Sequence, residues 1–167
     1  MSSPDREQMT ELVRETRLMT SYHALLSHAI AGRVGMHSTD IETMDLLNVL
    51  GSMTAGELAA RTGLSTGATT RLIDRLERAG LVKRRQDESD RRRVIVEPVQ
   101  GHPETHHLPI SSRVGELYGP LALKLGKLWS GYTRQELATI IDFARRSNEI
   151  VREENARIRS ESRPASD

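Results

Sequence analysis

The segment Ala55-Gly-Glu-Leu-Ala-Ala-Arg-Thr-Gly-Leu-Ser-Thr-Gly-Ala-Thr-Thr-Arg-Leu-Ile73 decides the reading of this chain. Ala59 is small where a second helix would cross closely, and Gly63 can supply the positive φ of a tight turn. Leu64 and Leu72 stand where the angle between two helices must be sealed. Residue type and spacing agree at all these points with a helix-turn-helix. The first helix is expected from Thr54 to Thr62, with Leu58 and Ala59 inward. Ser65 caps the second, which runs to Ala79 and buries Ala68, Leu72, Ile73 and Leu76. Gly80 then falls at the left-handed position just past a helix end.

Directly downstream lies Lys83-Arg-Arg-Gln-Asp-Glu-Ser-Asp-Arg-Arg-Arg-Val-Ile-Val96, in which six cations flank an acidic, turn-like centre. Leu81 to Arg84 reads as one strand and Arg92 to Val99 as a second, with Val94, Val96 and Pro98 on one face. A basic hairpin after a helix-turn-helix has one common physical use. The helix enters a major groove, and the hairpin reaches the neighbouring minor groove.

On that reading, the second helix turns Thr66, Gly67, Thr70, Arg71, Asp74, Arg75 and Arg78 away from its buried face. Recognition helices offer their N-terminal part to base edges, so Thr66, Gly67, Thr70 and Arg71 are the base-reading candidates. Arg71 has the fork that pairs guanine O6 and N7, and Gly67 allows close backbone approach. Ser65, Arg61 and Arg75 are expected to meet phosphates, which position a protein without reading sequence.

Composition agrees. A chain of 167 residues with 37% apolar and 28% charged residues can bury one core and clothe it in polar helices. Only five aromatics are present, so Leu, Ile, Val and Met must fill that core. The absence of cysteine excludes disulfides and thiolate metal sites. No apolar run approaches a membrane span, and no secretion-type segment opens the chain, so the cytoplasm is the expected compartment. The net charge of +1 hides a cluster: ten Lys/Arg against five acids between Arg61 and Arg93. With 21 Arg to 3 Lys overall, arginine is a background preference here. Clustering is therefore the stronger signal.

Outside this region the chain reads as helix. Met9, Leu12, Val13, Met19, Tyr22, Leu26, Ala29 and Ile30 form one stripe on a helix from about Asp5 to Arg33. A second helix starts at a Thr39/Glu42 capping box and carries Ile41, Met44, Leu47 and Leu50. Thr54/Glu57 and Thr133/Glu136 are two more such boxes. Residues 100–109 are irregular. Helical periodicity returns through Val114, Leu117, Leu121, Leu125 and Leu128, and Gly119-Pro120 should kink or split that run. The last helix continues from Thr133 into a charged tail, with 160–167 expected to be disordered.

The runs Leu76-Glu-Arg-Ala-Gly-Leu-Val-Lys-Arg84 and Asp87-Glu-Ser-Asp-Arg-Arg92 resemble the signature of the MarR family of bacterial transcription regulators. The resemblance implies a mostly α winged helix-turn-helix with a small β-hairpin wing. It further implies a homodimer on a pseudo-palindromic operator in double-stranded DNA, acting as a repressor and released by a small apolar or phenolic ligand. One domain over 1–160 is then expected, with dimerisation helices at 1–36 and 110–159 and a DNA-binding lobe at 39–99. The wing contacts fall on Arg84, Arg85, Asp90, Arg91 and Arg92. By the family's Asp-x-Arg pattern, Arg92 enters the minor groove while Asp90 holds it or a neighbouring cation. The stretch Glu97-Pro-Val-Gln-Gly-His-Pro103 departs from the family's usual Leu-Thr and Gly, which alters the junction between wing and next helix.

Other readings stand beside this one. A winged-helix module that binds protein instead of DNA would share the pattern. His102 and His106 are spaced as zinc ligands on a helix, with His107 and His37 as further candidates, but Pro103 and Pro109 oppose a helix there. They read as solvated loop histidines, and no metal or cofactor is expected. Met36, Met44 and Met53 suit either an adaptable pocket or ordinary core. Gly63-Leu-Ser-Thr-Gly67 matches a nucleophile elbow by letter only, since its context is helix-turn-helix and not strand-to-helix. An enzyme is not expected.

Overall fold

A computed structural model describes residues 5–90, 92–99 and 112–161. Helix α1 (Arg6–Val34) opens on Asp5, whose carboxylate accepts the Gln8 N–H at 2.8 Å, and ends at Gly35 with φ of 72°. Helix α2 (Ser38–Leu50) starts one residue before the expected box. The His37 N–H donates to Asp40 Oδ2 at 3.2 Å, so Asp40 satisfies the helix start and the Thr39/Glu42 box does not form. Helices α3 (Ala55–Thr62) and α4 (Thr66–Arg78) follow, joined through Gly63 at φ 73°. The Thr54/Glu57 and Thr133/Glu136 boxes form as expected.

The end of α4 closes on Gly80 at φ 69°. The Leu81 N–H reaches the Leu76 carbonyl and the Gly80 N–H the Glu77 carbonyl, each at 2.9 Å. Leu81 and Leu76 share the core, the apolar contact that accompanies this cap. The hairpin β2 (Val82–Gln86) and β3 (Val94–Pro98) pairs Arg84 with Val96 and Gln86 with Val94. A short strand, β1 (Met53–Thr54), adds to the other edge of β3, giving the order β1-β3-β2. Two residues carry no period, so β1 had no signature in the sequence.

The lobe core joins Met44 and Leu47 of α2, Leu58 of α3, Leu72, Ile73 and Leu76 of α4, and Val82 and Val96 of the sheet. Each such side chain contributes about 1.5–3 kcal/mol on burial. Met44 and Met53 belong to this core and Met36 packs against it, so the ordinary-core reading of the methionines holds. Thr69, not Ala68, completes the buried face of α4; its hydroxyl is satisfied by the Ser65 carbonyl at 3.0 Å. A second cluster gathers Ile30 and Ala31 of α1, Ile41 of α2 and Val114.

Val114 lies on α5 (Ser112–Trp129), which continues through Pro120 without splitting. Helix α6 (Arg134–Glu161) extends into the expected tail, so Ser160 and Glu161 are helical. The chain forms two compact units, one ending at Tyr118 and one beginning at Gly119. In the first, α1 leaves Met9, Leu12, Val13, Met19 and Tyr22 exposed. In the second, α6 has no buried residue, and Ile140, Ile141, Phe143, Ile150 and Val151 face outward. Among the described residues no helix is long and apolar enough to cross a membrane.

Candidate nucleic-acid interface

The first two turns of α4 are set by Ser65, whose Oγ accepts the Ala68 N–H at 3.3 Å. Ser65, Thr66, Gly67, Thr70 and Arg71 are all exposed there. Thr70 hydrogen-bonds back to the Thr66 carbonyl at 3.0 Å. A Cβ added to Gly67 would meet only Arg71 Nη1, at 3.9 Å. Nothing inside the fold therefore requires glycine at this position. Arg61 is exposed in the last turn of α3.

The wing tip is organised by two carboxylates. Asp87 Oδ1 accepts the Ser89 N–H at 2.7 Å, the Ser89 hydroxyl at 2.6 Å and the Asp90 N–H at 3.3 Å. The Ser89 bonds hold the Asp87 carboxyl below its ordinary range. Asp90 Oδ1 in turn accepts the Arg92 N–H at 3.1 Å and Arg92 Nε at 3.2 Å, while Oδ2 lies 3.6 Å from Arg93 Nε. Arg92 remains 92% exposed in its side chain, so it is aimed without being covered. Arg93, which was not among the expected wing contacts, joins this tip as a neighbouring cation on Asp90. Arg91 and the histidines at 102, 106 and 107 lie outside the described residues. His37 is exposed, and among the described residues no group of three ligating side chains forms a metal site.

The remaining cations are differently occupied. Arg75, expected at a phosphate, is turned inward: its Nε and Nη2 donate to Asp40 at 3.1 and 2.6 Å. That bond raises the Arg75 guanidinium above its usual range. Arg85 Nε meets Glu97 at 2.7 Å, and Lys83 meets the same carboxylate at 3.0 Å. Hydrogen bonds from Arg85 and then Lys83 hold Glu97 below the ordinary carboxylate range. Arg84 pairs with Asp74 and Glu77 of α4. Two of the answering carboxylates, Asp40 and Glu97, lie outside the basic segment, so charge counted along it overstates the patch. Arg71, Arg92 and Arg93 remain the outward-facing cations best placed on the tip and the first turns of α4.

The MarR family profile matches residues 36–94. The chain is 39% identical over 135 residues to the HTH-type transcriptional regulator YcgE of Bacillus subtilis (strain 168), covering 81% of this chain and 82% of that one. It is 27% identical over 139 residues to the HTH-type transcriptional regulator YsmB of the same organism, covering 83% and 89%. Among solved structures, a MarR family protein from Bacillus stearothermophilus matches with a TM-score of 0.59 at 19% identity, over 89% of this chain and 99% of that one. At that identity the match speaks for the fold, a mostly α winged helix-turn-helix.

Proposed function

Because the chain belongs to the MarR family, we propose that it is a transcription regulator that binds duplex DNA as a homodimer and acts as a repressor on a pseudo-palindromic operator. The observation that carries this reading is the wing tip, where Asp90 holds Arg92 and Arg93 exposed beside a recognition helix whose first turns are polar and open. In this reading α4 enters the major groove, with Thr66, Gly67, Thr70 and Arg71 at base edges. Arg92 and Arg93 reach the adjacent minor groove, where the narrow cleft concentrates negative potential. Ser65 and Arg61 meet phosphates. Arg75 braces Asp40 within the lobe, and Arg85 pairs with Glu97 on the exposed face of the wing.

Dimerisation is supported by the apolar faces that α1 and α6 leave exposed, which no element among the described residues covers. Two lobes would then present recognition helices about 34–36 Å apart, one helical turn of DNA. Release by a small apolar or phenolic ligand would act by changing that spacing. A screen of such compounds for loss of DNA binding tests this step.

The primary test is selection of duplexes from a random pool, followed by titration of the enriched sequence at several salt concentrations. Enrichment of an inverted repeat and a steep loss of affinity with salt are expected. No enrichment and no salt-dependent duplex binding would leave a protein-binding winged helix as the better reading. Neither reading involves catalysis.

A further inference from the structure

Strand alternation divides the four residues from Val82 to Arg85 between two faces. Arg84 stands opposite Val96, which is fully buried, so its side chain leaves the sheet on the side of the core and α4. There its Nη2 lies 2.5 Å from Asp74 Oδ1, and its Nη1 bonds Glu77 Oε2. Its main-chain N–H donates to Glu77 Oε1 at 3.3 Å. One guanidinium thus grips two successive turns of the recognition helix, and the strand backbone adds a third bond.

We propose that Arg84 is a positioning residue that fixes the wing against the recognition helix, and so sets sequence discrimination, without itself touching DNA. This rests on the duplex-binding reading above. The charge balance argues for it: Arg84, Asp74 and Glu77 together carry a net negative charge, so a phosphate approaching Arg84 gains nothing. The geometry argues the same way, since the Arg84 side chain is only 29% exposed while Arg92 is 92% exposed. Discrimination requires the helix and the wing tip to meet their grooves in register, and contacts on a loosely hinged wing lose that register. The guanidinium fork suits this task better than an ammonium, because its planar donors can address two carboxylates at once.

The test uses the full-length protein, the duplex enriched by selection and a scrambled duplex of equal length. Asp74→Asn with Glu77→Gln removes two acids from the DNA-facing helix and leaves Arg84 free. Charge alone would predict tighter binding. The positioning role predicts instead that the ratio of selected to scrambled affinity falls about tenfold, as for loss of one good base contact. Arg84→Gln should lower the ratio similarly and leave the salt slope unchanged, whereas loss of one phosphate contact per protomer would reduce that slope by about 1.8 in a dimer. Arg84→Lys keeps the charge without the fork and should not restore discrimination. Thermal unfolding of each variant checks that the lobe is intact. If the variant without Asp74 and Glu77 keeps its ratio, or Arg84→Lys behaves as wild type, the inference fails, and a gain in salt slope in the first case marks Arg84 as a DNA contact. If the wild-type protein enriches no duplex, the DNA-binding reading fails first and this inference with it.

Discussion

Arg75 of α4 holds Asp40 of α2 through two hydrogen bonds, and the Asp40 side chain is only 2% exposed. The same carboxylate accepts the His37 N–H that starts α2. A single buried group therefore caps the start of one helix and anchors another, 35 residues away in sequence. Removing the cation should hurt more than removing the acid, because an unpaired buried carboxylate keeps its full desolvation cost. Arg75→Met is expected to lose about 3 kcal/mol, at the low end for a buried pair since Arg75 is one-third exposed. Adding Asp40→Leu to Arg75→Met should recover part of that loss. Urea unfolding at one fixed protein concentration compares them, and a double variant weaker than the Arg75 single would sink this account.

Gly67 sits in the first turn of α4 with room for a methyl group. Gly67→Ala should raise thermal stability slightly, by about 0.5 kcal/mol, because alanine loses less backbone freedom in a helix. Duplex affinity should fall at the same time, since the methyl would stand between the backbone and the groove. Stability and affinity moving together would remove Gly67 from the interface.

Arg92 is held by Asp90 and is otherwise open to solvent. Arg92→Ala should weaken binding to the selected duplex at least tenfold, as expected for loss of a groove contact in each of two wings. Its melting temperature should hardly change, because an exposed ion pair contributes at most about 1 kcal/mol. Asp90→Ala should cost less affinity, since both cations remain and only their aim is lost. Fluorescence anisotropy on the two variants ranks them, and the reverse order would contradict a minor-groove role for Arg92.

The outward face of α6 carries Ile141, 52% exposed, among other apolar side chains. In a two-fold dimer each substitution acts twice. Ile141→Glu should therefore weaken self-association by about 3 kcal/mol, roughly a hundredfold in the dissociation constant. Sedimentation equilibrium over a range of protein concentrations measures it. A wild-type protein that stays monomeric at every concentration would refute the homodimer.

Much of the fold was legible because its signals are local. Thr54 and Glu57 cap α3 wherever the helix lies, since both partners sit within one turn. Gly63 and Gly80 take positive φ for reasons confined to their own backbone. The Thr39/Glu42 box obeyed the same local rule and failed, because Asp40 was already placed by a partner on α4 and served the helix start itself. Strand β1 went unseen because a two-residue strand exists only through its pairing with β3. The candidate interface was legible as a cluster of arginines on two elements, but not as a division of labour among them.

The sequence by itself determined where the helices, turns and basic hairpin lie, because caps, glycine turns and apolar periods act over a few residues. Only the tertiary structure decided which cations face outward. Arg75 and Arg84 look the same as Arg71 and Arg92 in the sequence, yet carboxylates brought close by folding claim the first pair. Charge neutralisation falls off with distance in space, and distance along the chain does not record it.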